Sequence, residues 1–152
     1  MRYAYKSLIK ILGLKRIGVN KKVNQESLEV IKTDTIIGKH VYGNLYGCDK
    51  KMLSNVELLK KLIVEAAEIA KMTLIEVKSW KFGGEKGGVS VIALVVESHI
   101  AIHTWPNYEY AAVDVFTCGE KSDPDESFEH ICRVLAPKKV VKHFADRSAI
   151  QY

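Results

Sequence analysis

The feature that most constrains the fold is a long β-rich stretch, Thr73 to Thr117, which separates two amphipathic helical segments. Branched and aromatic residues dominate this stretch, and such residues fit the pleated surface of a sheet. The glycine-rich run Gly83 to Gly88 interrupts it, which predicts a hairpin connection between two strands. The run Val91 to Val96 is continuously apolar, so we expect its strand to lie in the centre of the sheet. In chain order the predicted strands are His40 to Tyr46, Thr73 to Phe82, Val89 to Glu97, Ser98 to Thr104, Tyr110 to Thr117 and Val140 to Phe144.

A helix is predicted on each side of this stretch. The first begins at Ser54, because Ser54 and Glu57 have the spacing of a capping box. The second begins at Asp123, which is followed by Pro124 and by acidic residues that favour a first helical turn. Each helix has one apolar stripe for packing. The stripes are Leu59, Leu62, Ile63, Ala66 and Ala70 in the first helix, and Phe128, Ile131, Cys132 and Leu135 in the second.

The order of these elements is strand, helix, several strands, helix, strand. It predicts an α+β fold, a two-layer sandwich in which an antiparallel sheet carries two helices on one face. The other face of the sheet then has no covering layer, so we expect the protein to form a homodimer. With 152 residues, 47% of them hydrophobic, the chain has enough apolar material for one domain, which we assign to residues 37–152.

The positive charge of the chain is concentrated near its start. The formal net charge is +5, and residues 1–32 hold eight Lys or Arg but only two Glu, so the remainder is close to neutral, at −1. We therefore interpret residues 1–36 as a flexible basic leader. Because no nucleic-acid-binding motif accompanies this charge, nucleic acid is not expected as a partner.

Cysteine usage and hydropathy indicate the compartment. The three cysteines, Cys48, Cys118 and Cys132, are irregularly spaced and form no CxxC pair, so neither a disulfide framework nor a zinc knuckle is predicted. Basic residues interrupt the apolar residues of the leader, which leaves no signal peptide and no segment long enough to cross a bilayer. We expect a cytoplasmic protein without a membrane partner.

The segment Val89 to Gly119 concentrates residues that could carry chemistry, and their spacing admits three interpretations. In the first, they are structural residues of the core or of a sheet edge. In the second, His99, His103 and Cys118 bind a metal ion, although strand residues four apart are separated by about 13 Å, too far for both imidazoles to bind one ion. In the third, Cys118 is a nucleophile paired with His103. The residues concerned are Ser90, Glu97, Ser98, His99, His103 and Cys118.

Two longer runs in this segment are more specific than the spacing. Glu97 to Pro106 reads ESHIAIHTWP, and Tyr110 to Gly119 reads YAAVDVFTCG. Both runs resemble the signature of the S-adenosylmethionine decarboxylase proenzymes of bacterial and archaeal type. The resemblance extends from Gly38 through the second predicted helix, which is nearly the whole chain after the leader.

The resemblance implies that the chain is a self-processing zymogen. The Ser98 hydroxyl would attack the carbonyl of Glu97 and convert the peptide bond into an ester, and β-elimination would then release residues 1–97. Position 98 would become a pyruvoyl group at the start of residues 98–152. Such a group forms a Schiff base with the amine of a small amino-acid-type substrate and accepts electrons when CO2 leaves. Neither pyridoxal phosphate nor a metal ion is then required.

The resemblance also implies roles for individual residues. Ser90 and His103 match the positions that assist self-processing, and Cys118 matches the residue that returns a proton to the substrate carbon. Ser98 and His103 are five positions apart, so a straight strand would point them to opposite faces. We therefore expect a bend or bulge between them. A strained link between Glu97 and Ser98 would suit self-cleavage.

Two substrates fit the resemblance, because the fold family includes S-adenosylmethionine decarboxylases and an archaeal branch that converts arginine to agmatine in polyamine biosynthesis. The predicted substrate-binding residues are Phe82, which matches an aromatic that stacks on adenine, and Asn107. At the position of Asn107 the nucleoside enzymes usually have a glutamate, which could hold the ribose hydroxyls. Together with the run Gly83 to Gly88 and the ending Ala145 to Ser148, this difference favours arginine, with S-adenosylmethionine as the alternative. A hypothesis from another class is a non-enzymatic module that binds nucleic acid through the basic leader.

Overall fold

The computed structural model describes residues 36–149, so the predicted leader lies outside the described residues except for Ile36. The described part of the chain forms six strands, three α-helices and a short 3₁₀ helix. In chain order these are β1 (Lys39–Tyr46), α1 (Lys50–Leu53), α2 (Val56–Ile69), β2 (Leu74–Phe82), β3 (Gly88–Val95), β4 (Ser98–Trp105), the 3₁₀ helix (Pro106–Tyr108), β5 (Tyr110–Thr117), α3 (Pro124–Leu135) and β6 (Lys139–Asp146).

The six strands form one sheet with the order β2-β3-β4-β5-β1-β6. Each neighbouring pair is antiparallel. Helix α2 packs on β2, β3 and β4, helix α3 packs on β1 and β5, and the two helices contact each other. Both long helices therefore cover the same face of the sheet, and the predicted α+β two-layer fold is confirmed.

The core lies between this face and the two long helices. The predicted stripe of α2 is buried along its whole length, and in α3 Phe128, Ile131 and Leu135 are fully buried. Gly43 of β1 lies under Phe128, and a Cβ at position 43 would come within 2.8 Å of the Phe128 ring. The missing side chain thus allows α3 to approach the sheet closely.

The start of the first long helix differs from the prediction. Ser54 does not cap it: its hydroxyl donates to the Lys50 carbonyl at 2.7 Å, and Ser54 ends the short helix α1. Asn55 caps α2 instead, because its side-chain oxygen accepts from the Leu58 N–H at 3.1 Å. The capping box is therefore wrong by one residue, since an extra turn of helix capped by Asp49 precedes α2. The predicted start of α3 at Asp123 is confirmed.

We call the sheet surface opposite the helices the open face. Its cross-strand rows include Ser90 with His103, and Leu94 with His99. Strand β3, which contains most of the apolar run expected at the centre of the sheet, has a neighbouring strand on each side. The two central strands, however, are β4 and β5. Leu94 is 50% exposed because the described residues place no layer over this face. No helix among residues 36–149 combines the length and apolar character needed to cross a bilayer.

Candidate active site

The predicted cleavage site lies in the tight turn between β3 and β4. Glu97 is in this turn, and Ser98 is the first residue of β4. Ser98 has a φ of +152°, a value that residues with a side chain rarely adopt. Backbone strain of this kind costs about 1–3 kcal/mol and persists only where neighbouring contacts enforce it. Ser98 therefore has the kind of backbone strain that would suit self-cleavage.

The carbonyl group of Glu97 is held by the segment that follows β5. The Cys118 backbone N–H donates to the Glu97 carbonyl oxygen, with 2.8 Å between the two atoms. Ser98 is paired with Thr117, the residue before Cys118. Three predicted site residues, Glu97, Ser98 and Cys118, thus lie together. A donor in this place withdraws electrons from the carbonyl and stabilises negative charge on its oxygen.

The carboxylate of Glu97 is held on another side by Thr73. The Thr73 backbone N–H donates to Glu97 Oε2 at 2.8 Å, and the Thr73 hydroxyl donates to Oε1 at 3.1 Å. The sequence analysis did not predict a role for Thr73, because its contact with Glu97 joins positions 24 residues apart and depends on the fold. At the sequence level Thr73 is only the first residue of a predicted strand.

Ser90 and His103 form a second group, on the open face. They are direct neighbours on β3 and β4, and Ser90 Oγ lies 2.8 Å from His103 Nδ1. His103 lines an open cavity of about 400 Å³. A hydroxyl and an imidazole in contact can relay a proton, which is the kind of chemistry expected of these two residues.

The two groups do not meet within one chain. Strand β4 pairs with β3 and β5 without a shift of register, so the predicted bend or bulge between Ser98 and His103 is wrong. Continuous pairing on both sides leaves no place for an extra residue. Five strand residues extend over about 16 Å, and Cys118 lies at the Ser98 end. The interpretation that pairs the Cys118 thiol with His103 therefore fails within one chain.

His40 and His99 both contact the carboxylate of Asp114 on the open face. Asp114 Oδ1 lies 2.9 Å from His40 Nε2 and 3.3 Å from His99 Nε2. Within residues 36–149, no group of three or more His, Cys, Asp or Glu side chains could hold a metal ion. The sequence analysis did not single out Asp114. A single acid within the apolar run Val113 to Phe116 could have indicated a side chain with polar partners.

The two predicted substrate-binding residues line one smaller cavity. Phe82 and Asn107 face a space of about 200 Å³ beside the glycine-rich hairpin. Phe82 is 55% exposed, so its ring is accessible. The Asn107 amide donates to the Glu85 carbonyl at 3.0 Å and thereby ties the hairpin to the 3₁₀ helix.

Of the three cysteines, only Cys118 lies beside the strained turn. Burial raises the pKa of the Cys48 thiol to about 11, and burial does the same for the Cys132 thiol, to about 11. Both are therefore protonated at neutral pH and act as core side chains.

A comparison with known families gives the class of the protein and then its family. Residues 39–148 match the family model described as S-adenosylmethionine decarboxylase, so the protein is a decarboxylase. The chain belongs to the S-adenosylmethionine decarboxylase family. The resemblance of the runs Glu97 to Pro106 and Tyr110 to Gly119 is thereby confirmed, and the hypothesis of a non-enzymatic module finds no support.

Individual relatives agree with this assignment. The chain is 60% identical over 117 residues to the arginine decarboxylase proenzyme of Hyperthermus butylicus, covering 77% of this chain and 82% of that protein. It is 62% identical over 116 residues to the arginine decarboxylase proenzyme of Ignicoccus hospitalis, covering 76% and 81%. Among solved structures, the adenosylmethionine decarboxylase from Aquifex aeolicus matches with a TM-score of 0.69 and 32% identity, covering 78% of this chain and 96% of that chain.

Proposed function

We propose that the chain is the proenzyme of a pyruvoyl-dependent arginine decarboxylase, which cuts itself between Glu97 and Ser98 and converts arginine to agmatine and CO2. The observation that carries the proposal is the geometry of this one link. A positive φ at Ser98 and a hydrogen-bond donor on the Glu97 carbonyl fall at the same peptide bond. That is the bond that self-processing would break.

Self-processing begins at the Ser98 hydroxyl and ends with a pyruvoyl group at position 98. The Ser98 hydroxyl oxygen attacks the Glu97 carbonyl carbon while the Cys118 N–H stabilises the charge on the carbonyl oxygen. The peptide C–N bond then breaks, and the nitrogen of Ser98 takes up the proton that the hydroxyl lost and becomes a free amine. Removal of the Ser98 Cα proton breaks the Cβ–O bond of the ester and leaves Glu97 as a carboxylate terminus. Addition of water and loss of ammonia at position 98 give the pyruvoyl group.

The surroundings of position 98 suit a pyruvoyl group, because β4 begins there and the following strand residues remain fixed in the sheet. A pyruvoyl group at position 98 would supply an electrophilic carbonyl for the substrate amine and for the electrons released with CO2. The Cys118 side chain returns a proton to the substrate carbon. A positioned acid of this kind contributes about 10²–10⁴ in rate. Neither a metal ion nor pyridoxal phosphate has a role in this scheme.

The enzyme acts as a homodimer in this scheme, and a second copy brings its Ser90 and His103 to Ser98. Two observations support this arrangement. Ser98 and His103 of one chain are separated by about 16 Å of regular strand. The open face also exposes Trp80 and Leu94, which are 49% and 50% accessible, and exposed apolar surface of this kind marks interaction sites.

Arginine is favoured over S-adenosylmethionine by two observations. The two relatives of 60% and 62% identity are both named arginine decarboxylase proenzyme. The Asn107 amide is bound to the Glu85 carbonyl, so no carboxylate projects from this position toward a ribose. The family as a whole and the Aquifex aeolicus structure keep S-adenosylmethionine as the second candidate substrate.

Intact mass measurement of the purified protein tests self-processing. We expect fragments of 97 and 55 residues, as the numbering of the 152-residue chain requires, with the shorter one blocked at its start. The Ser98→Ala protein should stay a single chain. If the wild-type chain remains unbroken after prolonged incubation, the proposal fails.

The substrate is tested by release of labelled CO2 from arginine and from S-adenosylmethionine, measured side by side on processed protein. We expect turnover of arginine. Exclusive turnover of S-adenosylmethionine would overturn the choice of substrate and leave self-processing intact.

A further inference from the structure

We propose that Thr73 positions the link between Glu97 and Ser98 for self-cleavage by holding the Glu97 carboxylate. The inference rests on the proposed self-cleavage and assigns it a positioning residue from outside the strands that carry the reacting groups.

Thr73 contacts the turn with all of its polar groups. Its N–H and hydroxyl bind the two carboxylate oxygens of Glu97 at 2.8 Å and 3.1 Å. Its carbonyl oxygen accepts from the Val96 N–H at 2.9 Å. One residue therefore fixes both the side chain of Glu97 and the backbone just before it.

The other side of the turn is fixed by the segment after β5. The Cys118 N–H binds the Glu97 carbonyl at 2.8 Å. A Cβ at position 119 would come within 3.1 Å of Glu97 Cγ, so Gly119 leaves the space in which the Glu97 side chain lies. With the side chain held by Thr73 and the carbonyl held by Cys118, the Glu97 carbonyl cannot rotate without breaking a hydrogen bond.

The hydrogen bonds between Thr73 and Glu97 contribute little to the free energy of unfolding. Thr73 is exposed and Glu97 is only half-buried, and hydrogen bonds that compete with water contribute little to folding. Their effect is local and directional, at the residue before the strained φ of Ser98. Once the link is cut the orientation of the Glu97 carbonyl no longer matters, so Thr73 is needed by the proenzyme and not by the processed enzyme.

The test is a time course of cleavage in freshly synthesised, pulse-labelled full-length chains. Thr73→Val keeps the shape of the side chain and removes the hydroxyl donor, and it should slow cleavage about threefold to tenfold, the effect of one net hydrogen bond. Glu97→Ala removes both carboxylate contacts and should slow it about tenfold or more. Thr73→Ser keeps the hydroxyl donor. Glu97→Gln keeps one oxygen to accept from the Thr73 N–H, and its amide NH2 can donate to the Thr73 hydroxyl in place of the second contact. Both variants should cleave at close to the wild-type rate.

Two further readouts separate positioning from a structural role. The melting temperature of uncleaved Ser98→Ala should not change when Thr73→Val is added, because the contact is exposed. After complete cleavage, the Thr73→Val enzyme should decarboxylate as fast per processed chain as the wild type. The matched control is Glu57→Ala, which should leave cleavage unchanged. Glu57 is an exposed residue of helix α2, and its carboxylate lies 3.1 Å from the Lys60 ammonium.

The failures of the two proposals are distinguishable. Absence of cleavage in the wild-type chain would remove self-processing altogether. Wild-type cleavage together with an unaffected Thr73→Val rate would overturn the role of Thr73. Loss of cleavage in Glu97→Gln, with Thr73→Val unaffected, would mean that the carboxylate acts chemically and not as an anchor, which also overturns it.

Discussion

Cys118 contributes to the site through two different parts of the residue. Its backbone N–H holds the Glu97 carbonyl at 2.8 Å, and its thiol is the predicted proton donor to the substrate. Substitution changes the thiol and keeps the N–H. The two steps of the proposed reaction, cleavage and decarboxylation, are therefore separable at this one position.

We predict that Cys118→Ala cleaves at close to the wild-type rate and then decarboxylates about 10²–10⁴ times more slowly, because the positioned acid is lost. Fragment masses report the first step and labelled CO2 reports the second. Cys132→Ala, which removes a partly buried thiol that packs against the core, is the control for the loss of a sulfur atom. A Cys118→Ala chain that folds normally but does not cleave would contradict the division between backbone and side chain.

The residues of the site were predictable to different degrees. Ser90, Ser98, His103 and Cys118 were predicted from family resemblance, and spacing alone left a structural role, metal binding and thiol catalysis open. The structure brings Ser90 to His103. Thr73 was not predictable, because its contact depends on how the loop before β2 meets a turn far along the chain.

The hairpin of β3 and β4 carries both the strained turn and the Ser90–His103 pair. At the end of the hairpin away from this turn, β3 begins at Gly88, and there its backbone lies very close to the backbone of β4. A Cβ at position 88 would lie 1.7 Å from the Thr104 carbonyl oxygen, so any side chain would push the two strands apart.

We therefore predict that Gly88→Ala destabilises the protein by about 1–3 kcal/mol, the usual cost of overpacking. Gly83→Ala is the matched control, because a Cβ there meets nothing within 4 Å. It should leave stability unchanged or raise it by a few tenths of a kcal/mol through the unfolded chain. Urea unfolding of uncleaved Ser98→Ala protein measures both, and equal midpoints for the two variants would contradict the close approach.

The order and type of the elements followed from sequence because apolar periodicity and turn residues act locally. The predictions were wrong where two neighbouring residues could both cap a helix, and where strand pairing determined the backbone geometry. Ser54 and Asn55 are both good capping residues, and the short helix α1 decided between them. The straightness of β4 could not be predicted, because it is imposed by two neighbouring strands.

The separation of Ser98 from His103 makes a prediction about the assembled protein. If two copies complete each other's sites, a Ser98→Ala chain keeps a working His103, and a His103→Ala chain keeps a working Ser98. Coexpression should therefore restore cleavage of the His103→Ala chain, which neither variant shows alone. Differently tagged chains and intact mass identify the cleaved partner. Failure of mixed dimers to cleave would show that each site is built from one chain.

The sheet order has a consequence for the state of the protein after cleavage. Residues 1–97 contain β1, β2 and β3, and residues 98–152 contain β4, β5 and β6. In the sheet, β1 is inserted between β5 and β6, and β3 remains paired with β4. The cut removes the covalent link between residues 97 and 98 but leaves every strand pairing in place, so the two products are interleaved subunits that share the former domain interior as their interface. They should copurify as a stable heteromer and come apart only when the sheet itself unfolds.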